Sequence, residues 1–294
     1  MFKGELNNMP SIVTVGSEKG GVGKTTTVVN LAASFASLGK KVLVIDIDPQ
    51  ANATELLGID REQAQNNSLS EAILKNKTLE TCRVATNTED VDLLPATVGL
   101  KDVIKQLGNG LRQDKLLKPV LVTKATDEYD IVLIDTHGVE DCLLTSALAA
   151  SHYYLAPVFA EQDSARGLHD FLQTSDFIRK HSNPTLTLLG AVITRYDRTN
   201  ATHREYEQAI REHGAISNFR VFETLIPSSK SVAAASKNQM TLVAYRKESP
   251  ITLAYQTLAG ELLPLLKGRR VGRVPVPNME KLESGIQAIE DIFV

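Results

Sequence analysis

Cysteine is nearly absent from this 294-residue chain: Cys82 and Cys142 stand far apart and form no CxxC pair. Such sparse use fits a reducing cytoplasm and two structural thiols. Long apolar runs are missing too. None approaches the roughly 18 residues that cross a bilayer, and the opening MFKGELNNMP has no apolar core of a signal peptide. Neither sign of charge dominates, with 32 Lys and Arg against 35 Asp and Glu for a net charge of −3. A chain basic throughout is thereby excluded, so any nucleic-acid contact must come from a local patch. No repeat, low-complexity tract or Pro/Gly-rich linker interrupts residues 11–266. The remainder is ordinary for a soluble globular protein, with 43% hydrophobic and 23% charged residues. A chain of this length buries a substantial core, as one large α/β domain or two smaller ones.

Apolar, β-rich runs alternate with helical patterns. SIVTVG (11–16) precedes a helix whose apolar face includes Val28, Leu31, Phe35 and Leu38, ending at Gly39. Later strand-like runs are KVLVID (41–46), DIVLID (130–135), YYLAPV (153–158), LTLLGAVIT (186–194) and FRVFETLI (219–226). Helical patterns cover 163–181 and 200–213. Continuous apolar strands alternating with helices predict an α/β fold: a mostly parallel twisted sheet with helices on both faces. Composition changes at KGRRVGRVPVP (267–277), which separates a domain over 1–266 from an appendage over 267–294. In that appendage Met279, Leu282, Ile286, Ile289 and Phe293 recur at helical spacing.

SEKGGVGKTTT (17–27) follows the first strand and opens the first helix. Consecutive glycines let backbone N–H groups turn toward an anion, and the helix start adds its dipole. Lys24 would reach the β- and γ-phosphates of a nucleotide, and the Thr25 hydroxyl would ligate Mg²⁺. The strict phosphate-loop pattern is missed by one residue, because Glu18 occupies its first glycine position. The loop carries a second lysine, Lys19, which that pattern does not require.

Three carboxylates belong to the same site. VLVIDIDPQ (42–50) puts Asp46 and Asp48 at the C-terminal end of the second strand, the edge where open parallel sheets bind ligands. Strand alternation sends both to one side. DIVLIDTHG supplies Asp135 after four apolar residues, the arrangement of a Walker-B aspartate that holds the Mg²⁺ shell.

KGGVGKTTT, VIDIDPQANAT (44–54), LLPAT (93–97), the Walker-B strand and IPSS (226–229) together resemble the ParA partition ATPases, over about residues 11–266. The resemblance implies a P-loop NTPase fold, ATP and Mg²⁺ as ligands, and a homodimer that forms on ATP binding. Lys19 is then the signature lysine of the deviant Walker A motif, crossing to the phosphates of the partner subunit's nucleotide. Glu18, Lys19, Gly20, Gly21, Val22, Gly23, Lys24 and Thr25 would line the phosphates, and Thr26 would help hold the α-phosphate. Asp48 would orient the attacking water, joining Lys19 and Lys24 as the catalytic set, and Asp46 would support the metal shell of Thr25 and Asp135. Thr194, Arg195 and Pro227 resemble the adenine-side contacts. Non-specific DNA, a ParB-like or cargo adaptor that stimulates hydrolysis, and a cytoplasmic, nucleoid-associated location are implied as well. Only about ten residues precede the first strand, too few for the helix-turn-helix domain of the larger plasmid forms.

The chain also departs from the family. Thr136-His137-Gly138 stands where prolines usually follow the Walker-B aspartate. The arginine-bearing segment after the Ile-Pro is here SSKSVAAASK, its charge reduced to Lys230 and Lys237. That depletion turns attention to Lys267, Arg269, Arg270 and Arg273 as a flexible basic run able to follow a phosphate backbone. Two rivals share the loop. An iron–sulfur ATPase resembling the nitrogenase iron protein would need a second cysteine in a glycine-rich loop, and Cys82 in LETCRVATN has no glycine nearby. A membrane-cycling regulator resembling MinD would end in a basic amphipathic helix, whereas Glu280, Glu283, Glu290 and Asp291 outweigh Lys281 here. The C-terminal helix is expected to pack onto protein instead.

Overall fold

A computed structural model describes residues 9–107, 113–266 and 276–283. Seven strands form one sheet: β1 (Ser11–Val15), β2 (Val42–Asp46), β3 (Val84–Ala85), β4 (Val91–Leu94), β5 (Ile131–Asp135), β6 (Tyr153–Phe159) and β7 (Thr187–Thr194). Their order is β3-β4-β2-β5-β1-β6-β7, parallel except for the short edge strand β3. The mostly parallel sheet is the one expected from the sequence.

The continuous apolar strands follow from burial on both faces. Along β2, Val42 and Val44 join a core beneath the helices Lys24–Ser37 and Pro250–Leu266, which contribute Leu31, Phe35, Tyr255 and Leu258. Leu43 and Ile45 point oppositely, to a second core with Leu69, Leu100 and Leu143. A third core lies under the helices Gln162–His181 and Ala201–Ser217 around β6 and β7. Period-2 alternation thus places helices on both faces.

Two expectations need correction. The first helix stops at Ser37, and Leu38 turns outward, 49% exposed, as the chain reverses through Gly39. The Gly39 amide donates to the Ala36 carbonyl at 2.9 Å, closing the helix before Leu38 could face the core. The run 219–226 is not a regular strand. It follows β7 through separate hydrogen bonds, Phe222 N to Ala191 O and Ile226 N to Ile193 O, both 2.9 Å. Between them the Thr224 hydroxyl donates to the Glu261 carboxylate.

Part of the C-terminal appendage docks on the body. The Asn278 amide donates to the Ser217 carbonyl at 2.8 Å, residues 279–283 are helical, and Leu282 is fully buried in the third core. Ile286, Ile289 and Phe293 lie outside the described residues, as do Lys267, Arg269, Arg270 and Arg273.

Candidate nucleotide and magnesium site

The site forms at the C-terminal edge of the sheet, where β1 leaves through Gly16 into the loop. Gly21 (φ 76°) and Gly23 (φ 85°) adopt left-handed backbone that a side chain would strain. The Gly23 carbonyl accepts the Thr27 amide at 2.8 Å, so the helix begins at Lys24 and its first amides remain for an anion. The loop is held from outside. Thr194 Oγ1 donates to the Val22 carbonyl at 2.7 Å, and Arg195 Nη1 to the Gly21 carbonyl at 3.0 Å. Arg195 has left-handed backbone (φ 52°), and its guanidinium lies 4.5 Å from the Phe159 ring centre. Tyr196 bridges to Pro227, so Thr194, Arg195 and Pro227 gather at one end of β7 beside the loop.

Lys24 is only 7% exposed, and its Nζ donates to the Lys19 carbonyl at 2.7 Å. Burial holds this ammonium below its ordinary range, while Asp135 and Asp48 pull the other way. The two loop lysines are thus connected.

Strand register explains the carboxylates. Asp135 pairs with Val15 of β1 on one side and Asp46 of β2 on the other. Both aspartates are fully buried. Asp46 is satisfied: Oδ2 accepts the Thr54 amide (2.9 Å) and hydroxyl (2.8 Å), and Oδ1 accepts the Asp48 amide (3.0 Å). The Thr54 hydroxyl in turn accepts the Ala96 amide at 3.0 Å, which ties LLPAT to the site. Asp135 differs, because neither oxygen accepts a hydrogen bond of ordinary geometry, although the Thr25 hydroxyl lies alongside and opposes the upward shift. Burial, and then the charge of Asp46, push its carboxyl well above the usual carboxylate range. Burial likewise raises Asp46.

A buried, unbonded carboxylate beside a threonine hydroxyl fits Mg²⁺, which takes one or two protein oxygens and completes its shell with phosphates and water. Among the described residues, no cluster of three or more His, Cys, Asp or Glu could cage a metal alone. Asp135 and Thr25 are the groups that would hold the ion. Asp46, its oxygens already engaged, steadies Thr54 and the Asp48 turn.

Asp48 is half-buried at the mouth of the site. Its Oδ1 accepts the Gln50 amide at 2.8 Å, and its carbonyl accepts that of Ala51, a left-handed residue (φ 59°). After β5, Thr136 Oγ1 donates to the Val15 carbonyl at 2.9 Å. His137 Nε2 and Asp141 Oδ2 share a hydrogen bond at 2.9 Å, while Asp141 Oδ1 caps the helix Cys142–Ala150 through the Leu143 and Leu144 amides. Gly138 lies so close to the loop that a β-carbon there would be 3.2 Å from Lys24 Nζ and the Gly20 amide. Cys142 is a buried thiol, pushed up to about 11 by burial and by Asp141.

The phosphate loop, Asp46, Asp48 and Asp135 thus lie together at one edge of the sheet. Lys230 and Lys237 stand apart from it, exposed at the two ends of the helix Ser231–Lys237. Sequence reasoning singled out the Thr136-His137-Gly138 turn but missed Gly167. For Gly167 a signal existed, a glycine inside a helical pattern, which often marks close approach.

Comparison with known proteins places the chain in a family. A family profile described as an AAA domain matches residues 10–188. The chromosome-partitioning ATPase Soj of Thermus thermophilus is 35% identical over 253 residues, covering 85% of this chain and 94% of the relative. The chromosome partitioning protein ParA of Caulobacter vibrioides is 30% identical over 260 residues, 88% of this chain and 96% of the relative. Among solved structures, a cobyrinic acid a,c-diamide synthase from Mycobacterium smegmatis with bound ADP and magnesium superposes with a TM-score of 0.76 at 29% identity, over 92% of this chain and 99% of that one. The chain belongs to the ParA/Soj family of partitioning proteins, P-loop ATPases that use ATP and Mg²⁺.

Proposed function

We propose that this ATPase dimerises on ATP, binds DNA without sequence preference, and positions or segregates a cargo. A plasmid, a chromosome origin or a protein body such as a carboxysome would serve, with a ParB-like or other adaptor stimulating hydrolysis. The observation that carries this reading is the second loop lysine: Lys19 shares the phosphate loop with Lys24, and its carbonyl carries the Lys24 ammonium. One loop thereby offers one cation to its own nucleotide and one to a partner's, as an arginine finger does. Relatives named for chromosome partitioning support the cargo role.

In the reaction, the orphan amides of Lys24, Thr25 and Thr26 hold phosphate oxygens at the helix start. Lys24 leaves the Lys19 carbonyl for the β- and γ-phosphates. Thr25 and Asp135 would hold Mg²⁺, which would supply charge neutralisation on those phosphates when bound. Asp48 orients the water for in-line attack, on a turn fixed by Asp46 and Thr54. Asp48→Ala is therefore expected to bind Mg-ATP and dimerise but to hydrolyse on the order of 100-fold more slowly with DNA and adaptor present. A wild-type phosphate-release rate would remove Asp48 from this role and make Asp46 the next candidate.

We assign residues 1–266 to the ATPase domain and 267–294 to an appendage that carries the basic run. No described helix is long and apolar enough to cross a membrane. Leu282 is used in the protein core, which favours DNA over a lipid surface for this tail. Arg269→Ala, Arg270→Ala and Arg273→Ala combined should leave ATP-driven dimerisation intact and weaken non-specific duplex binding at least about tenfold. The log–log salt slope should become shallower by roughly 0.9 for each phosphate that is no longer neutralised. Unchanged affinity and slope in a gel-shift titration would move the DNA surface to Lys230 and Lys237.

A further inference from the structure

The part of the loop that departs from the ordinary phosphate-loop pattern, residues 16–19, is backed by one face of the helix Gln162–His181. Gly167, Phe171 and Thr174 are spaced four and three residues apart, so they form one stripe. Each meets a different loop residue. Thr174 Oγ1 donates to Glu18 Oε1 at 2.7 Å. The Phe171 ring occupies the space beside Gly16, 2.5 Å from where a β-carbon would stand. At Gly167 a β-carbon would lie 2.7 Å from Lys19 Cβ and 3.3 Å from the Lys19 amide nitrogen. The turn after β5 closes the opposite side, with a β-carbon on Gly138 falling 3.2 Å from the Lys19 carbonyl carbon.

The main chain of Lys19 is therefore gripped between two glycines while its carbonyl holds Lys24. A glycine weakens the middle of a long helix, and the close approach of Lys19 accounts for it here. Glu18 shows the same dependence on this helix. Standing where the strict pattern has glycine, it brings a carboxyl into a partly buried place. Burial raises its pKa, and the Thr174 hydroxyl works against that shift.

We infer that Gly167 and Thr174 are positioning residues for Lys19: the helix stripe sets the height and direction of the lysine that reaches the partner's nucleotide. The inference rests on the partner-facing role proposed above for Lys19. A methyl group at 167 must push Lys19 off the helix, because a real β-carbon does not sit 2.7 Å from another carbon. A subunit's own nucleotide is held mainly by Lys24 and the helix-start amides of Thr25 and Thr26, so its affinity falls less than the dimer's. Dimerisation and nucleotide affinity then separate, which general damage to the fold would not produce.

The test compares Gly167→Ala, Thr174→Val and Lys19→Gln, each alone, with Gly167→Ala also placed in the Lys19→Gln background. A fluorescent ATP analogue reads nucleotide affinity, and light scattering with ATP reads the dimer. Gly167→Ala should keep analogue affinity within about threefold and weaken the dimer roughly tenfold or more. Thr174→Val, the same shape without the hydroxyl, should shift the dimer in the same direction by less. It carries the test if Gly167→Ala fails to fold by circular dichroism. Added to Lys19→Gln, Gly167→Ala should cause no further loss of dimer. Wild-type dimerisation in both helix variants, or an additional loss in the combined variant, would overturn the inference. If Lys19→Gln alone dimerises like wild type, the partner-facing role fails first, and the single variant shows which of the two ideas was wrong.

Discussion

Lys24→Gln is expected to lose ATP binding, while Lys19→Gln keeps it and loses the ATP-dependent dimer. The contrast follows from how the loop holds its two cations. Lys24 is almost fully buried, and its ammonium ends against the Lys19 carbonyl beside Asp135 and Asp48. A nucleotide replaces a neutral acceptor there with a polyanion, so Lys24 gains more from phosphate than any loop amide does. Glutamine keeps a donor but not the charge. Losing a charge-assisted hydrogen bond of about 3 kcal/mol corresponds to an affinity loss on the order of 100-fold. Lys19 contributes its carbonyl to this cradle, and glutamine retains that atom. Equal loss of analogue affinity in the two variants would mean that both lysines serve the same nucleotide, and the partner-facing role would be wrong.

How far the sequence speaks for the molecule varies by element. β1, β2 and β5 read correctly because they are buried on both faces, and a doubly buried strand is a continuous apolar run. β4 carries Asp92 in its middle, a residue that reads as a loop until Tyr129 is seen donating to it at 2.6 Å across the core edge. β3 has two residues and no pattern at all. The run at 219–226 reads like a strand, yet it meets β7 only through separate hydrogen bonds and an isolated bridge. The phosphate loop was legible because its chemistry is local, one short stretch with a strand before and a helix after. Asp46 and Asp135 could be placed on one sheet edge, whereas their direct pairing is a matter of register between strands far apart in the chain. The approaches of Gly138 and Gly167 to Lys19 span still longer separations. A glycine shows in a sequence that something comes close, never what.

Asp135→Asn should raise the stability of the nucleotide-free protein and abolish its stabilisation by Mg-ATP. In the free protein Asp135 is a fully buried carboxyl with no ordinary hydrogen bond, next to the equally buried Asp46. Burial and the Asp46 charge hold its folded-state pKa well above the usual carboxylate range. Such a group binds its proton more tightly folded than unfolded, so folding stability falls as pH rises from the unfolded pKa through the folded one. Above both values the full penalty is present. Asparagine carries no charge at any pH. The variant's advantage should therefore be greatest once pH exceeds the folded-state pKa and shrink as the solution is acidified toward the unfolded carboxylate range. An uncompensated buried polar group costs about 1–3 kcal/mol, more when charged, which sets the size of the gain. Mg-ATP reverses the balance in the wild type, since the cation beside Thr25 offsets the charge that destabilises the free protein. Asparagine offers that cation only a neutral oxygen, so the gain of 2–3 kcal/mol expected at roughly 100-fold ligand excess over Kd should vanish. Thermal unfolding with and without Mg-ATP, repeated across pH, reads both effects. A variant less stable than wild type without nucleotide would show that Asp135 is satisfied in the free protein and that its burial is not a reserved metal position.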